Sequence, residues 1–159
     1  SLGLVGSEMC IRDRNDLTRL VYISRSTESD QSEHHIHAIN EQILSEARAY
    51  NEENNITGIL CFAHACYFQL IEGPKHSVEF LYGKIQKDRR HDDIKLMFIE
   101  PIASRAFSRW QMKFIEDINV AMPLVRMHGH KHFSPFEFAE NLFKDLIDFL
   151  SQKCAESKC

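Results

Sequence analysis

The residue that most constrains the chemistry is Gln69, a lone amide in the apolar run Cys66-Tyr67-Phe68-Gln69-Leu70-Ile71-Glu72. A run this rich in aromatic and branched side chains reads as a strand buried on both faces, where an unpaired amide costs roughly 1–3 kcal/mol. Gln69 therefore needs a partner. The candidates are core-directed polar groups, Tyr22 in Leu20-Val21-Tyr22-Ile23-Ser24 and Asn51 near the end of a helix, or a bound molecule rich in donors and acceptors. Trp110-Gln111-Met112, further along, is the remaining group whose residue types bear on the site.

Periodicity places these residues on elements. Leu17 to Ser24 contains a first strand, with Leu20, Tyr22 and Ser24 on one face and Val21 and Ile23 on the other. After a polar loop, Ile36, Ile39, Ile43, Leu44, Ala47 and Tyr50 recur at helical spacing, and Asn51 falls on their buried stripe. Asn51-Glu52-Glu53-Asn54-Asn55 stops the helix, and Ile56 to Phe62 is a second strand joined through Ala63-His64-Ala65 to the strand of Gln69 as a hairpin. Gly73-Pro74 ends that strand. Ser77 then reads as the N-cap of a second helix displaying Val78, Leu81, Tyr82 and Ile85, in which Gly83 is out of character. Asp93 to Glu100 alternates Ile94, Leu96 and Phe98 with Lys95, Met97 and Ile99, a fourth strand ended by Pro101. Trp110 to Ile115 reads as a fifth, with Trp110, Met112 and Phe114 on one face.

This order predicts a ferredoxin-like βαββαββ α/β sandwich with a five-stranded mixed sheet and two helices on one face. Val21, Ile23, Ile59, Phe68 and Leu70 leave the other face apolar, so it too needs a cover. The tail offers one: Ser134 as N-cap, Pro135 at the first helical position and Glu137 completing a capping box open a helix to about Lys153. Phe136, Ala139, Leu142, Phe143, Leu146, Ile147, Phe149 and Leu150 form its stripe, which is expected against the sheet's back, a second subunit or both.

Composition fits that frame. A chain of 159 residues with 43% hydrophobic residues builds one ordinary core and a small appendage. We divide it into 1–15, a non-native or disordered N-terminal segment, 16–117, the core domain, and 118–159, a C-terminal helical extension. Ser1 to Arg14 lacks the basic start and cleavage signal of a secretory leader and resembles a translated sequencing-adapter remnant. A formal charge of -4 disfavours nucleic-acid partners. Five cysteines without paired spacing suggest reduced thiols and a cytoplasmic setting, with Cys61 and Cys66 as small buried residues. No apolar run approaches the ~20 residues of a membrane helix.

Taken together, the motifs carry a family resemblance. They are Leu20-Val21-Tyr22-Ile23-Ser24, Asn51 through Asn55-Ile56-Thr57-Gly58-Ile59-Leu60, Tyr67-Phe68-Gln69-Leu70-Ile71-Glu72-Gly73, Ile85-Gln86-Lys87-Asp88-Arg89-Arg90-His91, and Pro101-Ile102 with Phe107 and Trp110-Gln111-Met112. Each alone is weak; in this order, from about Leu17 to Ile115, they resemble the BLUF domain, a blue-light sensor module that uses FAD. The closest likeness is to the short type, a BLUF core followed only by helices. The resemblance implies that Tyr22 is the photoactive tyrosine and Gln69 the switching glutamine. It also implies that Asn51 hydrogen-bonds the isoalloxazine and that Ile43 packs on the ring. Lys84, at a position commonly Arg, joins Asp88, Arg90 and His91 along the ribityl and phosphate path, although a lysine lacks the planar fork for a bidentate phosphate contact. Trp110 or Met112 contacts Gln69 depending on state. The cofactor is FAD, or FMN or riboflavin in its place. The chain is then a bacterial photosensor and not an enzyme, a homo-oligomer whose output passes through the C-terminal helices to self-association or an unidentified downstream protein.

The residue chemistry agrees. A glutamine between phenol and flavin can exchange its carbonyl acceptor and NH₂ donor by rotation or tautomerisation. Two rival readings remain. His128-Gly129-His130-Lys131-His132, with Cys154 and Cys159, suggests a metal site, although alternating histidines in a loop are more often solvated. A small acylphosphatase-like hydrolase shares the sandwich, but Arg25-Ser26-Thr27-Glu28-Ser29-Asp30 is acidic and lacks the glycine an anion cradle requires.

Overall fold

The computed structural model describes residues 16–156. The N-terminal segment to residue 15 and Cys159 thus lie outside the described residues. The elements are β1 (Leu17–Ser26), α1 (Glu33–Glu53), β2 (Thr57–Ala63), β3 (Cys66–Pro74), α2 (Lys75–Ile85), β4 (His91–Pro101), β5 (Lys113–Ile115), α3 (Met122–Met127) and α4 (Glu140–Ala155). The strands lie in the order β4-β1-β3-β2-β5. All neighbours are antiparallel except β2 and β5, which are parallel. This is the predicted ferredoxin-like α+β arrangement with an added strand.

The sheet is apolar on both faces and divides the core in two. Leu20, Tyr22, Leu60, Tyr67 and Ile71 face α1 and α2 and pack on Leu44, Val78 and Leu81. Val21, Ile23, Ile59, Phe68 and Leu70 face the other way, as the strand period requires, against Leu142, Phe143, Leu146, Ile147 and Leu150 of α4. The tail stripe is thus spent on the chain's own sheet.

Local chemistry explains the main boundaries. Ser32 caps α1, its hydroxyl accepting from the His35 N–H at 3.2 Å. At the other end Asn55 takes φ 57°, a left-handed conformation that asparagine tolerates. Two side-chain clusters then hold the loop after β4. Glu72, fully buried, accepts from Arg19 and from the N–H groups of Ala106 and Phe107. Arg105 donates to the Thr57 hydroxyl and to the carbonyls of Glu72 and Asn55.

Several expectations need correction. The fifth strand is only Lys113–Ile115, so Trp110 to Met112 is irregular, and Trp110 and Met112 do not share a face: Met112 joins the α1 side and Trp110 packs on the α4 side. β4 does not alternate strictly. A register shift opposite Val21 and Tyr22 pairs Phe98 with Val21 and Leu96 with Tyr22, putting them on opposite faces. Helix α2 begins at Lys75 behind Pro74 with no side-chain cap, so Ser77 lies inside it. The tail is not one helix from Ser134. Pro135–Glu137 is a 3-10 turn without a Ser134 side-chain bond, Phe138 is extended (φ -81°, ψ 139°), and α4 starts only at Glu140. Helix α3 has too few residues to carry a visible period and was not foreseen. Cys61 and Cys66 are buried free thiols, but Cys154 is disulfide-bonded, against the expectation of reduced thiols throughout.

Candidate functional site

Between helices α1 and α2, over β1 and β3, lies a cavity of about 240 Å³. Ile43, Ala47, Leu81 and Ile85 of the two helices and Leu60 of the sheet give it apolar surface, beside polar groups from strands and helices. An apolar slot with a few convergent polar groups is the form of a site for a flat heterocycle. Tyr22, Ile43, Asn51, Gln69, Lys84, Asp88, Arg90 and His91 all line it. The site residues named from the sequence therefore converge on one place, apart from Trp110 and Met112.

At the floor, Tyr22 and Gln69 are directly paired across β1 and β3, which sets their side chains side by side on the helix face. The Tyr22 hydroxyl donates to Gln69 Oε1. Gln69 Nε2 donates in turn to Met112 Sδ at 3.5 Å. A thioether is a weak acceptor, so this half of the amide is held loosely. Burial, reinforced by the Asp88 carboxylate, pushes the Tyr22 pKa well above the ordinary phenol range, so the hydroxyl stays protonated and keeps a proton to donate to Gln69.

Asn51 closes the α1 side. Its Nδ2 donates to the Gln111 carbonyl, while its Oδ1 is buried without a hydrogen-bond partner among the described residues. A buried orphan acceptor of this kind calls for a donor.

The mouth is charged. Arg90 donates to Asp88 at 2.6–3.2 Å and reaches across to Glu46 of α1 at 2.7 Å. The Arg90 hydrogen bonds hold the Asp88 carboxyl below its usual range, and Asp88 in turn pushes the guanidinium pKa up. Lys84 Nζ sits over the Tyr50 ring, 4.6 Å from its centroid, and 5.5 Å from that of Phe80. His91, by contrast, has both ring nitrogens committed, Nε2 to the Ile85 carbonyl at 2.6 Å and Nδ1 to the Ser24 hydroxyl at 2.8 Å. It is a wall, edge-on to Tyr22 with centroids 6.1 Å apart.

Sequence reasoning passed over Glu46, Tyr67 and Arg48. Tyr67 stands two residues before Gln69 and so shares its face, a signal that was available; its hydroxyl donates to Asn40 Oδ1 at 2.7 Å. Glu46 and Arg48 are exposed helix residues with no local signal, since their partners Arg90 and Met112 come from distant parts of the chain. Among the described residues the histidine run does not assemble a metal site: His128 pairs with Asp145 at 2.9 Å and His130 stacks on Phe138. No group of three or more His, Cys, Asp or Glu that could hold a metal occurs among the described residues. No helix among them is long and apolar enough to cross a membrane.

Comparison with known proteins agrees with this geometry. Residues 17–113 match the family described as BLUF, sensors of blue-light using FAD. The chain is 31% identical over 105 residues to the photoactivated adenylate cyclase subunit beta of Euglena gracilis, an alignment covering 64% of this chain and 11% of that much longer one. The fold superposes on the ground state of BlsA with a TM-score of 0.78 and 32% identity, covering 85% of this chain and 87% of the other. The dark-state structure of BlrB, a BLUF protein, gives 0.70 and 28% over 88% and 98%. With the family match spanning more than half the chain, this protein belongs to the BLUF family of blue-light sensors.

Proposed function

We propose that the cavity between α1 and α2 holds FAD, with FMN or riboflavin as acceptable substitutes, and that blue light rearranges the hydrogen bonds of Tyr22 and Gln69 around it. The residues present fit such a group. The observation that carries the reading is a buried acceptor without a donor, Asn51 Oδ1, on a residue that lines the same cavity as a phenol–amide pair. A flavin's imide N–H answers the first need, and its adjacent carbonyl answers the amide's. Ile43 and Leu81 would flank the ring, and Lys84 would carry the charge nearest the phosphates.

A bound flavin supplies a blue-absorbing chromophore whose excited state accepts an electron. The protein supplies the rest. Tyr22, kept protonated by burial, would serve as the electron donor, and the existing bond to Gln69 Oε1 would be the path for its proton. Once both electron and proton have returned to Tyr22, the amide would be left rearranged, because its other contact is only a thioether. No covalent change is needed, so the dark state recovers thermally. Output is a change in self-association or in binding a downstream protein. Since the apolar stripe of α4 is buried against the sheet, that contact uses the outer faces of the tail rather than its core face.

The test is an absorption spectrum of purified protein given FAD, dark and then illuminated. A yellow protein with a reversible red shift is expected, with Tyr22→Phe keeping flavin and losing the shift. A folded, colourless protein that ignores FAD overturns the reading, and a full-sized photoproduct in Tyr22→Phe removes Tyr22 from its role.

A further inference from the structure

The irregular segment before β5 is held by an unusual set of donors. Ladder pairing with β2 begins only at Ile59 and Lys113, so the three carbonyls before it must find partners elsewhere. The Trp110 carbonyl accepts from the Gly58 N–H at 3.0 Å. The Gln111 carbonyl accepts from Asn51 Nδ2, and the Met112 carbonyl from Arg48 Nε at 3.1 Å. Arg48 and Asn51 are three apart on α1, hence neighbours on one side of it, and together they clasp two successive peptide groups. Met112 is thereby fixed at both ends, its carbonyl by Arg48 and its sulfur by Gln69.

We propose that Arg48 is a positioning residue of the light response: its guanidinium holds the Met112 carbonyl so that the thioether lies under Gln69 in the dark, and releases it once Gln69 rearranges. The proposal rests on the flavin reading above. If the amide exchanges its ends, an oxygen comes to face the Met112 sulfur, acceptor against acceptor, and the contact that seats Met112 is lost. Of the three donors, Gly58 and Asn51 are buried residues, whereas Arg48 is an exposed one whose guanidinium can turn to water when it leaves its part-buried bond. The clasp therefore opens at Arg48 first. Its release carries a change at Gln69 to the solvent-facing side of α1.

The chain contains a single Met-Lys step, Met112-Lys113. Protein labelled with ¹³C at methionine carbonyls and ¹⁵N at lysine therefore gives one carbonyl–amide correlation, which reports the Met112 carbonyl in the full chain loaded with FAD. In the dark, Arg48→Met should displace this peak while Arg48→Lys, which keeps a cationic donor, should leave it near the wild-type position. Illumination should move the wild-type peak toward the Arg48→Met position. Because Arg48→Met removes an interaction of the dark state that is partly re-formed on the way back, it should also slow dark recovery by roughly three- to tenfold. A wild-type peak that stays in place under light, while the flavin shows its normal red shift, overturns the proposal and leaves the flavin reading standing. This arm needs no variant to fold. Protein that takes up FAD but gives no red shift removes the reading beneath the proposal, and the proposal with it.

Discussion

At the scale of single residues, two buried phenols show how environment assigns roles that residue type leaves open. Tyr22 and Tyr67 both point at the cavity from neighbouring strands, yet Tyr22 donates to the movable amide of Gln69 and Tyr67 to Asn40 of α1. Burial raises both pKa values, that of Tyr67 to about 12. In the unfolded chain each phenol ionises near 10. A folded-state pKa raised in this way gives stability that is complete below pH 10 and is lost as pH rises toward the folded value. Burial also raises the thiols of Cys61 and Cys66, so urea unfolding should show stability beginning to fall near pH 9 and falling more steeply from 10 to 12 as the phenols join, with at most about 1.4 kcal/mol per pH unit from each group. Tyr67→Phe should make that decline shallower, at the cost of about 1 kcal/mol at neutral pH for the lost bond to Asn40. An alkaline decline of unchanged slope in the variant would show that Tyr67 ionises as freely in the fold as outside it. Tyr22, Gln69 and Asn51 were legible in the sequence because each is a polar residue on an apolar stripe. Arg48 was not, since an exposed arginine on a helix is ordinary until the path of residues 110–112 is known.

Among the elements, the β2–β3 hairpin carries a conformational cost at its turn. It turns through His64 and Ala65, both with positive φ, at 51° and 62°. A two-residue turn with φ positive twice matches the right-handed strand twist and is the form that normally selects Asn-Gly. The hairpin was readable from its flanking strands, and the missing Asn-Gly signal is now a measurable strain. For Ala65 the left-handed conformation costs roughly 1–2 kcal/mol, which glycine escapes while losing part of the gain to unfolded-state entropy. Ala65→Gly should thus raise stability by about 0.5–1 kcal/mol in urea unfolding with no change in the flavin spectrum. A destabilised variant would mean that the Ala65 methyl packs in a way that outweighs the strain. The fifth strand failed as an expectation for a different reason. Alternation from Trp110 onward looks like a strand, but Arg48 and Asn51 side chains take the place of ladder bonds at Gln111 and Met112, and no local pattern encodes donors from a helix some sixty residues away.

For the whole molecule, the question is how a site on one face of a sheet is tied to a tail on the other. The two faces meet in β3, where Gln69 faces the cavity and its neighbour Phe68 faces α4. Phe68 packs on Phe143 with ring centroids 5.4 Å apart, and Phe143 on Phe138 at 5.8 Å. All three are buried, and Phe138 lies in the extended link that separates the 3-10 turn from α4. Truncating Phe143 removes the ring at the centre of this stack and opens a cavity that the flanking Leu142, Leu146 and Ile147 cannot fill without moving the helix. Phe143→Ala should therefore cost about 3–5 kcal/mol in unfolding free energy. The flavin slot is lined from the opposite face, so dark-state flavin content and spectrum should survive at temperatures below the new unfolding midpoint. If α4 is only a cover, the light-induced red shift and its recovery also stay as in the parent. If strand β3 transmits motion to the tail, light-dependent protection of α4 amides against hydrogen exchange disappears in Phe143→Ala while the red shift remains. Exchange in α4 that is the same in dark and light for the parent protein would instead remove the tail from the signalling path altogether.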